Sequence, residues 1–375
     1  MVTIFWGSIL AIFYAYFGYP LVLYAISRRK SVSVKSDDAY LPKVSLIITA
    51  HNEARRIEKK IINSLELDYP RENIEILVAS DASSDETDKI VQGYADKGIR
   101  LVRSPHRGGK EFAQKCAIQQ AAYDIIVFSD VATILENDGI RKIVSNFADS
   151  SVGCVSSEDR VKDQQGNTSG EGAYVRYEMW LRAMETRVNS VVGLSGSFFA
   201  ARKAVCQDWP VNIPSDFNTL LNSMRHGLRG ISDPKSIGVY NTVSDSRREF
   251  ERKVRTITRG ISALMVNKSL LNPMRYGLFA WQLLSHKLVR WLIPWFMMLA
   301  LGSNIVLSVK SVFYRVLLLG HGMFYILSLL GSYTKIENVL VKIPKYFVQA
   351  NYSILVAWFK YLKGERYVTW TPSGR

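Results

Sequence analysis

The chain has 375 residues, a formal net charge of +15 and a hydrophobic fraction of 48%. That length admits one large domain or two smaller ones. The positive charge sits beside long apolar runs, which favours anionic lipid and phosphorylated substrates over nucleic acid as partners. Cys116, Cys154 and Cys206 are widely spaced with no C-x-x-C pair, so they read as packing residues in a reducing compartment.

Val2–Ile26 contains no charged side chain and is followed at once by Arg28-Arg29-Lys30. The run is long enough to cross a bilayer and longer than the core of a cleaved signal peptide. No small-x-small cleavage site is evident, and the basic cluster favours a cytoplasmic end. Residues 1–30 are therefore expected to be a retained anchor with its N-terminus outside.

Residues 31–246 have globular composition, and their first half alternates strand and helix signals. Strand-like runs fall at Val44–Thr49, Glu75–Ala79, Ile99–Arg103 and Ile125–Phe128, with helical spacing over Ala54–Leu67, Glu86–Ala95 and Lys110–Ala122. This alternation predicts an α/β domain with an open, mostly parallel sheet covered by helices. Ligands of such sheets bind outside the carboxyl ends of the strands. Three of those ends are polar: His51-Asn52-Glu53, Asp81 to Asp85, and Ser129-Asp130. Each alone is equally readable as a helix cap. After Val152–Ser156 the pattern loosens into the polar loop Asp163–Gly172, a helix over Tyr174–Val188, and the small-residue stretch Gly193–Ser197.

In Arg247–Ser262, Arg248, Arg252, Arg255 and Arg259 fall on one helical face and Phe250, Val254, Ile257 and Ile261 on the other. That spacing predicts a basic amphipathic helix on a membrane surface, the alternative being a solvated charged face on a core-packed helix, and residues 247–290 are expected to be interfacial. The guanidinium row is also suited to clamping a phosphate. Residues 291–375 carry Trp291–Val309 and Val316–Tyr333, a helical hairpin of spanning length. A third run, Tyr346–Tyr361, is shorter and interrupted by Gln349, Asn351 and Ser353. Placing it in the interface keeps the basic tail (Lys360, Lys363, Arg366, Arg375) cytoplasmic.

The order of these motifs resembles the inverting family 2 glycosyltransferases, specifically membrane-anchored bacterial ones that build extracellular polysaccharide, related to cellulose and hyaluronan synthases. The resemblance runs from Val44 to the C-terminal "VTWTPSGR". It implies a nucleotide-sugar-binding α/β domain of the GT-A type, with transmembrane helices on both sides. Asn52 and Glu53 match the turn that holds the nucleoside, and Asp81 matches the acid that reads the base, usually uracil. Lys110, in Arg107-Gly108-Gly109-Lys110, matches a Gly-Lys element beside the nucleotide. Asp130 matches the first acid of the metal-binding D-x-D motif, for Mg2+ or Mn2+. Ser195 and Gly196 resemble the acceptor-side loop, with Trp180 also assigned to the acceptor side. Asp216 matches the catalytic base, and Arg255 the arginine of the Q-x-x-R-W element.

The chemistry explains why such groups belong together. Displacing a nucleoside diphosphate from a sugar needs a cation on the leaving phosphates and a base for the incoming hydroxyl. The chain departs from the family pattern at Ala132, where the second acid of D-x-D is missing, and at Thr256, where a tryptophan accompanies processive polymerisation. The implied activity is transfer from a UDP-sugar to a lipid-linked or membrane-held glycan at the bacterial inner membrane, with the catalytic domain cytoplasmic. A homo-oligomer or an export-assembly partner is compatible with it. The rival readings are a processive polysaccharide synthase and a catalytically silent nucleotide-sugar-binding subunit of an export assembly.

Overall fold

The structure is a computed structural model that describes residues 1–162, 173–241, 246–334, 338–367 and 369. The polar loop 163–172 and most of the terminal VTWTPSGR, Arg375 included, lie outside the described residues. The chain opens with one apolar helix, Val2–Arg29, interrupted by a π turn at Tyr14–Gly18. We label its parts α1 (Val2–Phe13) and α2 (Tyr19–Arg29). Arg28 and Arg29 fall in its last turn, where the helix dipole favours cations.

Strands β1 (Val44–Ala50), β2 (Ile74–Ser80), β3 (Ile99–Arg103) and β4 (Ile125–Asp130) alternate with helices α3 (Ile57–Leu65), α4 (Thr87–Gln92) and α5 (Lys110–Gln120). They pair in parallel in the order β3-β2-β1-β4. All seven residues of β1 are buried, as expected for a parallel strand covered on both faces. Leu46 and Ile48 face a cluster with Ile57, Ile61 and Val78, whereas Ile47 faces Leu77, Ala113 and Phe128 on the opposite side. Each such side chain contributes about 1.5–3 kcal/mol when fully buried.

The remaining strands are β5 (Ile134–Leu135), β6 (Val152–Lys162), β7 (Phe198–Arg202) and β8 (Arg229–Asn241), with helix α6 (Gly139–Ser145) between β5 and β6. They extend the sheet as β4-β7-β6-β8-β5. Here β7 runs antiparallel to both β4 and β6, β6 runs parallel to β8, and β5 runs antiparallel to β8. The parallel character expected from the sequence thus belongs to the first four strands, and the sheet becomes mixed beyond β4.

Helix α7 (Ala173–Val188) packs on β8, α8 (Ser215–Arg225) packs on β6 and β8, and α9 (Ser246–Val266) packs on α8. A long apolar helical run, Pro273–Ser308, follows, kinked at Gly277 where φ is +51°. It comprises α10 (Pro273–Leu283), a π turn at Leu284–Val289 and α11 (Arg290–Ser308). The chain then forms α12 (Val312–Tyr333) and α13 (Val339–Leu362). Among the described residues, Val2–Arg29, Pro273–Ser308 and Val312–Tyr333 are long and apolar enough to cross a membrane. They give the chain the character of a multi-pass membrane protein. The third expected run lies inside α13, where its polar Asn351 and Ser353 are buried.

Two sequence expectations are altered by packing. The apolar stripe of α9 is covered by protein: Val254 and Ile261 are buried against Ile354, Ala357 and Trp358 of α13, with Phe250 and Ile257 alongside. The stripe is therefore not free to insert in lipid, because α13 already occupies it. The core also crosses the boundary expected at residue 246, since Leu264, Leu270, Phe279 and Leu283 share one cluster with Leu77 and Phe128. On the other side, Tyr19 and Leu23 of α2 pack on Leu181, Met184 and Val188 of α7. Both membrane helices are joined to the domain by buried contacts.

Candidate active site

Because β1, β2 and β4 run in parallel, their polar C-terminal ends meet on one edge. The turn after β1 places Asn52 at φ +54°, and the turn after β2 places Ala82 at φ +49°. Asn tolerates the left-handed region, whereas Ala there costs about 1–2 kcal/mol. Cross-links between the two turns offset that strain. Asn52 Oδ1 accepts from Ser84 N at 2.8 Å, Glu53 N donates to Thr87 Oγ1 at 2.8 Å, and Ala54 N donates to Asp85 Oδ2 at 3.1 Å. Burial alone would raise Asp85, but the bonds from Thr87 and Ala54 hold its carboxyl below the usual range.

Asp81 has no exposed surface. Its Oδ1 accepts from Gly108 N at 2.8 Å and Gly109 N at 3.1 Å, and its Oδ2 accepts from Gly109 N at 3.0 Å. Gly109 has φ +97°, a conformation that disfavours any side chain. The result is a tight turn that delivers Lys110 as the first residue of α5. Lys110 Nζ then donates to Asp130 Oδ1 at 2.5 Å and to the Gly196 carbonyl at 2.8 Å. Burial would lower this lysine, but Asp130 beside it, with Glu111 and Asp216 further off, carries it above its ordinary value.

These groups open onto a cleft of about 330 Å3. Of the residues singled out in the sequence, Glu53, Lys110, Asp130, Gly196, Asp216 and Arg255 line it, and so does Thr256. Asn52 stands exposed beyond the lining, and Asp81 lies beneath it. Ser195 is buried, its Oγ donating to Asp159 Oδ1 at 2.7 Å. Trp180 lies on α7 beside Tyr24 and Tyr177, with ring centroids 6.5 and 6.3 Å away, and does not line the cleft.

Asp216 occupies the first turn of α8, where the helix dipole favours a carboxylate. Among the described residues its carboxylate has no hydrogen-bond or ion-pair partner, so it is not spent on capping. It faces Gly196 closely: a Cβ there would stand 3.2 Å from Asp216 Oδ2. The arginines of α9 divide their duties. Arg252 pairs with Glu249 at 2.8 Å and Arg259 with Glu111 at 2.7 Å. Arg255 makes neither kind of bond among the described residues. Burial, then repulsion from Arg259 and Arg252, pulls it below the usual arginine range.

Sequence reasoning missed Glu111, Asp159, Tyr240 and Tyr367, all of which line the cleft. Asp159 left a faint signal, as a charged residue late in a β-branched strand. Burial raises its carboxyl, opposed by hydrogen bonds from Ser197 and Ser195 and by the charge of Arg182. Glu53 is raised likewise by burial, with Arg56 opposing at 2.6 Å. Lys60, under the same edge, is fully buried and donates to Ser129 Oγ at 2.7 Å and the Thr133 carbonyl at 2.6 Å. Burial lowers it to about 7, against the pull of Asp130.

Among the described residues no three His, Cys, Asp or Glu side chains come together to hold a metal ion. Asp130 is 39% exposed at its side chain and stands at the cleft wall, its Oδ1 bound by Lys110, so it offers a cation a single carboxylate group. This donor set fits a hard divalent cation whose shell is completed by diphosphate oxygens and water. It does not fit a cation caged by protein alone.

Residues 45–209 match the family model Glycosyl transferase family 2. Two similar curated relatives are both named poly-beta-1,6-N-acetyl-D-glucosamine synthase. One, from Staphylococcus aureus (strain COL), is 25% identical over 213 residues, covering 55% of this chain and 49% of that protein. The other, from Staphylococcus epidermidis, is 24% identical over 185 residues, covering 48% of this chain and 44% of that protein. The chain spans about half the length of the curated relatives it matches. Among solved structures, mannosyltransferase PcManGT from Pyrobaculum calidifontis, in complex with GDP-Man and Mn2+, is similar over 96% of this chain and 99% of its own. Its TM-score is 0.75 at 23% identity. At that identity the likeness bears on the fold, which is the GT-A type, and it extends across the long apolar helices as well as the segment that matches the family model.

Proposed function

We propose that the protein is a membrane-anchored glycosyltransferase that moves a sugar from a nucleotide-sugar to a membrane-held glycan acceptor, with inversion. The observation that carries this reading is the Asp216 carboxylate, without a partner among the described residues, sharing one cleft with Lys110, Asp130 and Arg255. In this reading the turns after β1 and β2 receive the nucleoside, with Asn52 and Glu53 nearest to it. Asp81 acts through the Gly108-Gly109 turn, which it holds in place for Lys110. Lys110 and Arg255 bind the diphosphate, the former from the strand edge and the latter from α9. Asp130 would hold Mg2+ or Mn2+ together with that diphosphate, and the cation neutralises charge on the leaving phosphates when bound.

Asp216 takes the proton from the incoming hydroxyl, on the face of the sugar opposite the leaving group. The balance is one C–O bond formed to the acceptor and one broken to the diphosphate, with the proton ending on Asp216. Gly196 keeps the space in front of that carboxylate open. Asp216→Asn is expected to keep nucleotide-sugar binding and to lose transfer by roughly 10²-fold or more, the usual scale for a general base. Near-normal turnover in that variant would remove Asp216 from the mechanism.

A second reading, repeated transfer to build a polymer, draws on the names of the staphylococcal relatives and on the ring faces of Tyr240 and Tyr367 in the cleft. Thr256 supplies no ring at the position where the family resemblance implies a tryptophan. Mass spectrometry of products made with excess donor separates the two readings. One added sugar on most acceptors supports single transfer, and long polymer beside unextended acceptor supports repetition.

A further inference from the structure

Lys287 lies in the π turn that interrupts the long helix Pro273–Ser308. Such turns re-aim side chains out of regular helical register and recur at functional sites. Among the described residues Lys287 makes no hydrogen bond and no ion pair. Its ammonium instead sits 5.7 Å from the centroid of the Phe217 ring and 6.0 Å from that of Trp291. Arg182, on α7, is the other cation here. Among the described residues its one hydrogen bond is to Ser156 Oγ, at a long 3.4 Å. Both side chains are half-buried, and their charges repel one another.

Two of the carboxylates nearby are engaged elsewhere. Glu178 is held by Arg290 at 2.5 Å and His286 at 3.2 Å, and Glu185 by His286 at 2.6 Å and Tyr19 at 2.7 Å. Two half-buried cations without an ion-pair partner are costly unless an anion joins them. The Gly193–Ser197 loop ties this pair to the cleft. A Cβ on Gly193 would lie 3.1 Å from Lys287 Nζ, as one on Gly196 would lie 3.2 Å from Asp216 Oδ2. Lys287 also feels the charge of Asp216.

The height of Lys287 in the helix says where the anion comes from. From Lys287 to the end of the helix at Ser308 is about 30 Å at 1.5 Å per residue. That is roughly the thickness of the hydrocarbon core, which sets Lys287 at the level of lipid phosphates. We propose that Lys287 and Arg182 seat the phosphate or diphosphate ester of a lipid-linked acceptor, whose outer hydroxyl then faces Asp216. This deepens the glycosyltransferase reading and rests on it for what the seated lipid is used for.

The test is native mass spectrometry of the full-length protein in detergent, with a polyprenyl phosphate, the matching polyprenol and phosphatidylglycerol as probes. The expected result is one polyprenyl phosphate per chain, bound at least tenfold more tightly than the polyprenol. Lys287→Gln and Arg182→Gln should each weaken it tenfold or more, and Lys287→Arg should restore most of the loss. Equal binding in wild type and both glutamine variants overturns the proposal, as does polyprenol binding as tightly as its phosphate. Displacement by equimolar phosphatidylglycerol overturns the acceptor assignment and leaves a general headgroup site. Binding of a nucleoside diphosphate with Mn2+, measured on the same samples, shows that the variants are folded. Its absence in wild type, with polyprenyl phosphate still bound, would sink the glycosyltransferase reading and spare the anion site.

Discussion

The two halves of the sheet solve different problems. In the parallel half, polar groups at the strand ends mostly satisfy one another: Asp81 is spent on Gly108 and Gly109, Asp85 on Ala54 and Thr87, and Asn52 on Ser84. In the mixed half, reactive groups are left open: Asp216 and Arg255 reach the cleft without partners among the described residues. One half is a rigid mould in which acids shape the backbone. The other presents charge to whatever enters. A carboxylate at a strand end is therefore not by itself a ligand or a catalyst, and its hydrogen-bond partners decide which it is.

The sharpest way to break this contrast is Asp81→Ala, which orphans the amides of Gly108 and Gly109. Leaving one buried and one part-buried donor unsatisfied should cost about 2–4 kcal/mol, read as a drop in thermal midpoint, whereas Asp216→Asn should leave the midpoint near wild type. An Asp81→Ala protein as stable as wild type would show that the turn is not held in this way. Next comes the link between the halves. Lys110→Met removes the bonds to Asp130 and Gly196 together and should weaken nucleoside-diphosphate binding by roughly 10-fold or more, since charge-assisted bonds are worth about 1.5–3 kcal/mol. Calorimetry checks it.

Lys60 gives a pH signature to the rigid half. Its folded value of about 7 lies below the ordinary lysine value of 10.5, because burial disfavours the charged form. The unfolded chain thus binds the extra proton between those values, and stability should rise as pH rises from 7 towards 10. The gain should reach about 2 kcal/mol by pH 9, at about 1.4 kcal/mol per unit. Lys60→Met should flatten that rise, and an unchanged pH slope would show that the amine is not the titrating group. The smallest effect is expected from Gly196→Ala, whose methyl presses on Asp216. Turnover should fall less than about tenfold, since the carboxylate must shift only a few tenths of an ångström, with nucleotide affinity unchanged.

The same contrast explains what was legible in the sequence. In the parallel half each strand and its covering helix are local, so Ile99–Arg103 and Lys110–Gln120 emerge from residue patterns nearly as they stand. Asp130, Lys110 and Asp216 could be singled out because short motifs carry them. Asp159 and Glu111 could not, because their place depends on long-range pairing of β6 with β7 and on Arg259 reaching over from α9. The stripe of α9 was visible, but its cover was not. A helical apolar face looks the same whether lipid or α13 lies against it. The partners of Asp81 were equally hidden, since backbone amides leave no trace in residue identity.

Phe279 and Leu283, on the first turns of a membrane helix, complete the core begun by β2 and β4. That arrangement sets a timetable for biosynthesis. The sheet is finished when the ribosome has made Asn241, yet its apolar floor stays open until Leu283 follows. At synthesis rates of about 5–20 residues per second the interval is roughly 2 to 8 seconds. During it the nascent domain exposes apolar surface beside a bilayer, and the helix that will close it is still bound for the membrane. Insertion and folding are thereby coupled: a chain cut before residue 273 is left with the hole that its own anchor was meant to fill, and chaperones will read it as misfolded.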